Sequence, residues 1–156
     1  MTAKYSTTQL RAAAGISRVT HDQWRARGFI NAETSSGGTG HPQLYSFDEI
    51  MRAAILRRLV ALGVTVGRAA EYVRHIYGFK GERAWLVIWK PESIDVTTTG
   101  AKRQVTHWSP DLPTISKVTR EAELPAKLIE NGESIVLCLD TIEARVKEAL
   151  EEGDDG

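Results

Sequence analysis

The chain has 156 residues, of which 42% are hydrophobic and 26% charged, a composition typical of a folded protein rather than a disordered one. No apolar run approaches the ~18 residues that a membrane-spanning helix needs, and the first residues contain no apolar segment of a secretory signal. The single cysteine, Cys138, excludes an internal disulfide and a cysteine-based structural zinc site, and it favours a reducing compartment.

The formal net charge of zero conceals a division along the chain. Residues 1–83 contain 12 Lys+Arg and 6 Asp+Glu, a net charge of +6. Residues 84–156 contain 8 Lys+Arg and 14 Asp+Glu, a net charge of −6. A basic half of this kind suggests that the first part of the chain contacts a polyanion.

The first elements along the chain are two short helices. The segment "STTQLRAAAG" has Ser6 or Thr7 as its N-cap and ends at Gly15. The segment "ISRVTHDQWRARG" follows and again ends at a glycine. Two short helices separated by "GIS" predict a helix-turn-helix.

A hairpin and two further helices are predicted next. Residues 29–46, "FINAETSSGGTGHPQLYS", have extended ends and a Gly/Ser/Thr-rich middle, which predicts a β-hairpin with a flexible tip. In residues 46–63 a broad apolar face predicts a helix, and Ser46 and Glu49 match a capping box. Residues 65–79 predict one more helix.

The sequence changes character at residues 78–84. "WLVIW" predicts a strand, "SIDVTTTGAKRQVTHWS" predicts two strands turning at "TGAK", and "ESIVLCLD" predicts a further strand. Between them, the segment 109–132 favours a short helix bracketed by prolines. "DTIEARVKEALEE" predicts a last helix with Ile142, Val146 and Leu150 on one face.

These elements predict an α+β fold in two domains. A helical, winged helix-turn-helix domain is expected over residues 1–80, and a small β-rich α+β domain over residues 84–152. Residues 153–156 are expected to form an acidic tail.

Four segments in order resemble the DNA-binding domain of the MerR-like winged helix-turn-helix proteins. They are "YSTTQLRAAAGIS", "WRARGFI", "GHPQLYS" and "FDEIMRAAILRRLVALGVTV". The resemblance covers residues 5–76 and implies a recognition helix over 17–27 in the major groove of double-stranded DNA, with a wing over 29–46 on the DNA backbone.

A recognition helix needs one face toward its own domain and another toward the base edges. Trp24 lies on the packing stripe, with Thr20 and Arg27, and is expected to anchor the helix. The expected DNA-binding residues lie on the opposite side of this helix and in the wing: Ser17, Arg18, Val19, Asp22, Gln23, Arg25, Thr39, His41, Gln43 and Tyr45.

The chain departs from the pattern of this family at several of these positions. Val19 stands where a basic residue is common, and Gln43 where the wing usually has an arginine. His21 and Asp22 stand where many members have Leu-Arg, and His21 is expected to be a buried structural residue. Asp22 could accept a hydrogen bond from the cytosine amino group, and Gln23 could pair with adenine.

No residue pattern predicts an enzyme, a metal site or a cofactor. The four histidines lack the spacing of metal ligands, and no serine lies in a G-x-S-x-G motif. Trp85, Trp89, Trp108 and His107 are candidates to line a small-molecule pocket in the second domain. Because Trp85 and Trp89 share one face of a strand, a core or dimer contact is favoured instead.

Two classes of function remain. The first is a dimeric, sequence-specific transcriptional regulator whose residues 84–156 carry the homodimer contact and respond to a small-molecule or protein effector. The alternative is a phage-type DNA-packaging subunit, or an antitoxin or adaptor, that uses the winged domain for assembly. Either protein is expected to be cytoplasmic and associated with the nucleoid, to be bacterial or phage-encoded, and to have no membrane partner.

Overall fold

The computed structural model describes residues 4–33, 42–74, 84–89, 95–98, 101–104, 115–131 and 134–153. The chain divides into two compact units, which are residues 1–78 together with 140–156, and residues 79–139. Within the described residues no helix combines the length and the apolar character needed to cross a membrane. The expected α+β fold class is confirmed, because helices dominate the first part of the chain and a small sheet follows.

The first unit contains the predicted helices and a two-stranded ribbon. The elements are β1 (Tyr5–Ser6), α1 (Thr7–Ala14), α2 (Arg18–Ala26), β2 (Leu44–Tyr45), α3 (Phe47–Ala61) and α4 (Val66–Val73). β1 and β2 are antiparallel, with Tyr5 opposite Tyr45. The predicted hairpin of residues 29–46 is therefore corrected, because the strand partner of β2 is the segment before α1, and residues 29 and 30 are not in a strand.

Serine residues begin three of these helices. Ser6, Ser17 and Ser46 each accept a hydrogen bond from a backbone N–H in the first turn, which satisfies a donor that the helix leaves unpaired. The reciprocal capping box occurs at Ser6 and Gln9. At Ser46 only half of the predicted box forms, because the buried Glu49 carboxylate accepts from the Asn31 backbone N–H at 2.8 Å and from Arg52 at 2.9 Å.

The C-terminal helix α6 (Leu139–Glu152) packs into the first unit. Ile142, Val146 and Leu150 are at most 7% exposed. Their four-residue spacing gives the helix one apolar face, and this face is buried with α1 and α3, where Ala12 and Ala54 line a cleft with Ile142. The expected second domain of residues 84–152 therefore differs from the observed division at its C-terminal end, and the three apolar side chains are unavailable as an exposed dimer contact.

The second unit contains a three-stranded antiparallel sheet in the order β6-β3-β7 and a separate hairpin. The predicted strands β3 (Ala84–Trp89) and β7 (Ser134–Cys138) are confirmed, as are the two strands β4 (Asp95–Thr98) and β5 (Ala101–Gln104), which pair antiparallel. Residues 109–132 contain a strand that the sequence did not predict, β6 (Ile115–Arg120), followed by a 3₁₀ turn and α5 (Leu124–Asn131).

The central position of β3 explains its composition. Leu86 lies opposite Val118 on β6 and Leu137 on β7, and Leu86, Val87 and Ile88 are at most 3% exposed. A strand that is covered on both faces is a continuous apolar run rather than an alternating one, as "WLVIW" is.

Candidate nucleic-acid interface

Helices α1 and α2 meet in a tight turn. Gly15 has φ of 67°, in the left-handed region that glycine occupies without steric cost, and the Ile16 backbone N–H donates to the Arg11 carbonyl at 3.0 Å. Ser17 then begins α2, and its Oγ accepts from the Thr20 backbone N–H at 3.0 Å. The predicted helix-turn-helix is therefore present, and the turn between its two helices is short.

Helix α2 has one buried and one exposed face. Trp24, 6% exposed, and His21, 1% exposed, are the buried side chains, which confirms the expected packing role of both. Arg27, expected on the packing stripe, is exposed instead. The opposite face presents the residues that the sequence proposed for DNA contact, all exposed: Ser17, Arg18, Val19, Asp22, Gln23 and Arg25.

Two side chains on this exposed face differ in character from the arginines beside them. Val19 is 65% exposed, although burying an aliphatic side chain away from water is favourable. Asp22 is an exposed acidic residue on an otherwise basic face, with its Oδ2 3.8 Å from Arg18 Nε. An apolar group and a carboxylate beside arginines suit the edges of bases better than they suit phosphates alone.

The residues predicted to contact DNA from the wing differ in how the structure places them. Gln43 is half-buried, and Thr39 and His41 lie outside the described residues. The proposal that Tyr45 contacts DNA is corrected, because its side chain is fully buried and its hydroxyl lies 2.9 Å from His21 Nε2. Tyr45 therefore contacts the buried side of α2 through His21 and is not exposed for contact with DNA.

A continuous line of hydrogen bonds joins α2 to β2. His21 Nδ1 lies 2.9 Å from Asp22 Oδ1, and Tyr45 Oη lies 2.9 Å from His21 Nε2 and 3.1 Å from the Gln43 amide. With the Gln43 oxygen facing Arg25, it accepts from Nη1 at 2.6 Å and Nη2 at 2.7 Å, and the amide nitrogen donates to Tyr45 Oη. We call these five residues, Arg25, Gln43, Tyr45, His21 and Asp22, the relay.

Two members of the relay have shifted pKa values. The hydrogen bond from His21 is the largest cause that holds the pKa of the Asp22 carboxyl below its ordinary value, and the charges of Arg18 and Arg11 add to it. Burial raises the pKa of the Tyr45 hydroxyl, although a hydrogen bond with Thr7 opposes the effect. Both directions favour an ionised Asp22 beside a neutral Tyr45 at neutral pH.

The charge of this part of the chain favours a polyanionic partner. Residues 5–76 contain 9 basic residues and 5 acidic residues, a net charge of +4, and all 9 basic residues are arginines. Arginine presents five N–H donors in a planar group that matches both phosphate oxygens and the O6/N7 edge of guanine. The first unit therefore carries donors suited to both kinds of DNA contact.

The relay is the part of the site that sequence reasoning missed. The sequence predicted that His21 is a buried structural residue and that Gln43 contacts DNA at the position where the wing usually has an arginine. The available signal was the coincidence of two departures from the family pattern, at His21 and at Gln43, each a polar residue able to both donate and accept hydrogen bonds.

Other candidate sites receive little support from the described residues. No group of three or more metal-ligating side chains occurs among them. Of the tryptophan cluster, only the half-buried side chain of Trp85 is described. The side chain of Trp89, and Trp108 and His107, lie outside the described residues. Cys138 is half-buried on β7 as a free thiol.

The comparisons with known proteins agree with the geometry of α1, α2 and the following helices. The model of the family described as "MerR HTH family regulatory protein" matches residues 5–76. No curated protein matches the chain.

Proposed function

We propose that the chain is a sequence-specific, DNA-binding transcriptional regulator, because its residues 5–76 match the family model of the MerR helix-turn-helix regulatory proteins. The observation that supports the proposal most is the exposed face of α2, where Arg18, Val19 and Asp22 project away from a helix that Trp24 anchors. This face supplies a cation, an apolar contact and an acceptor within two turns of one helix, the combination that base readout requires.

In this proposal α2 lies in the major groove and the wing of residues 29–46 contacts the backbone beside it. Gln43, at the base of the wing, bonds Arg25 of α2, so the wing and the recognition helix are held together. Because a single module of this kind contacts few bases, we propose that two copies bind adjacent half-sites. The homodimer contact, and any effector site, would lie in residues 79–139, since the apolar face of α6 is buried within its own chain.

The test is binding of the full chain to duplex DNA. A pool of duplexes with a randomised core is selected for binding, and the affinity for the selected duplex is measured by fluorescence anisotropy at several salt concentrations. We expect a defined sequence motif and an affinity that falls by roughly 0.9 log unit per log unit of salt for each neutralised phosphate. A salt-independent affinity, or no binding, would contradict the proposal.

A matched pair of variants locates the interface. Arg18→Ala removes an exposed arginine of α2, and Arg145→Ala removes an exposed arginine of α6. We expect the first to weaken binding and the second to leave it close to the parent value. Stoichiometry separates the regulator from an assembly protein, because a regulator gives a discrete dimer footprint and a packaging adaptor gives rings with weak sequence preference.

A further inference from the structure

We propose that the relay is a positioning device for base recognition, which orients the Asp22 carboxylate to accept a hydrogen bond from the exocyclic amino group of a cytosine in the bound DNA. Tyr45 and His21 are its positioning residues. The inference rests on the proposed function, since it names the base that the exposed face of α2 selects.

Hydrogen-bond chemistry fixes the direction of the relay. An ionised carboxylate only accepts, so His21 Nδ1 must donate to Asp22 Oδ1. In the neutral imidazole the other nitrogen, Nε2, is then the acceptor, and the Tyr45 hydroxyl donates to it. Gln43 donates to Tyr45 and accepts from Arg25. Every group therefore has a partner of the right kind, from a guanidinium at one end to a carboxylate at the other.

One oxygen of the Asp22 carboxylate, Oδ2, makes no hydrogen bond within the relay. Oδ1 is occupied by His21, whereas Oδ2 lies 3.8 Å from Arg18 Nε, a distance longer than a hydrogen bond. Asp22 is 60% exposed, so Oδ2 can reach a donor on a bound molecule. Cytosine and adenine both present an exocyclic amino donor in the major groove, and aspartate characteristically pairs with that of cytosine.

A carboxylate on this face discriminates between DNA sequences, because binding is less favourable wherever the DNA offers the carboxylate no hydrogen-bond donor. The phosphates of DNA repel it, so Asp22 weakens binding to duplexes that lack an amino group at the facing position. The stabilisation on the right sequence requires that the carboxylate be oriented before binding, since an exposed side chain otherwise loses rotamer freedom on binding.

Rigid neighbours supply that orientation. The His21 ring is 1% exposed and meets the Tyr45 ring edge-on, with 5.8 Å between centroids and 84° between planes. Tyr45 is fully buried on β2, and its hydroxyl holds the acceptor nitrogen of His21. Removing that hydroxyl releases the imidazole to rotate or to change tautomer, and Asp22 then loses its fixed donor.

The experiment compares base preferences in the full chain. The motif selected from the randomised duplex pool is changed one base pair at a time, and dissociation constants are measured for the parent, Asp22→Asn, Tyr45→Phe and the control Tyr72→Phe, another tyrosine of the first unit. We expect the parent to prefer a cytosine at one position roughly tenfold. Asp22→Asn and Tyr45→Phe should remove that preference and keep the others, and Tyr72→Phe should keep all of them.

This readout separates positioning from folding. A variant that is only less stable has a smaller active fraction, which weakens binding to every duplex by the same factor and leaves relative preferences unchanged. Three results would overturn the inference while leaving DNA binding intact. Tyr45→Phe could keep the full preference for cytosine, or it could lose the base preferences at all positions equally. The parent could instead prefer adenine at the position that Asp22 faces. Absence of DNA binding in the parent would overturn the proposed function itself.

A spectroscopic measurement tests the relay in the unmodified protein. Imidazole ¹⁵N chemical shifts report which ring nitrogen carries the proton. We expect Nδ1 of His21 to be protonated and Nε2 to be an acceptor. The opposite tautomer would overturn the inference, because Tyr45 could not then donate to His21 as the relay requires.

Discussion

Shortening Val146 on α6 should destabilise the first unit, although the residue lies more than 70 positions after the end of α4 (Val66–Val73). Val146 is 1% exposed, and Val146→Ala removes two methyl groups. At ~0.8 kcal/mol for each buried group, plus a contribution from the cavity that remains, the expected loss in free energy of unfolding is about 2 kcal/mol. If α6 folded with the second unit instead, helices α1 and α3 would not respond.

Hydrogen exchange measured by mass spectrometry on the full chain distinguishes the two units. A loss of about 2 kcal/mol corresponds to roughly 30-fold faster exchange for amides that open only when the unit unfolds. We expect this acceleration in peptides from α1 and α3, with little change in β3. The exposed Glu148→Ala on the same helix is the matched control. Unchanged exchange in α1 and α3, or acceleration confined to β3, would refute the assignment of α6 to the first unit.

Three further predictions follow from the same structure. Trp24→Ala should lower the free energy of unfolding by roughly 3–5 kcal/mol and abolish DNA binding, as measured by denaturant titration and anisotropy; a parent-like midpoint would mean that the indole is not part of the core. Because the pKa of Asp22 is lowered in the folded protein, its contribution to stability is present above the ordinary aspartate pKa and is lost as pH falls through the lowered pKa. Asp22→Asn should therefore make the free energy of unfolding depend less on pH on the acid side. An unchanged pH dependence there would argue against the hydrogen bond to His21. Sedimentation of the full chain should give twice the 17.3 kDa chain mass, and a monomer at micromolar concentration would contradict the proposed homodimer.

Local signals in the sequence determined most of the first unit. Serines at the helix starts, glycines at their ends and the apolar face of α3 are effects of neighbours within one or two turns, so a pattern of a few residues is enough to predict them. The same periodicity placed Trp24 on the buried side of α2 and Arg18 on the exposed side, as the structure has them.

The second unit was less predictable because its strands are short and their partners distant. β3 and β7 are apolar runs, and both were predicted. β6, "ISKVTR", alternates polar and apolar residues weakly and lies between prolines, so only its pairing with β3 defines it as a strand. Strand identity here depends on long-range hydrogen bonds that no window of the sequence contains.

Two features were decided by the tertiary structure alone. The sequence shows that α6 has an apolar face, but amphipathicity does not say which surface covers it, and chain order suggested the wrong neighbour. The relay likewise joins Tyr45 to His21 across 24 positions, through the pairing of β2 with β1. The sequence supplied the donors and acceptors, and only the fold could bring them within hydrogen-bond distance of one another, because hydrogen bonds depend on distances that residue order does not encode.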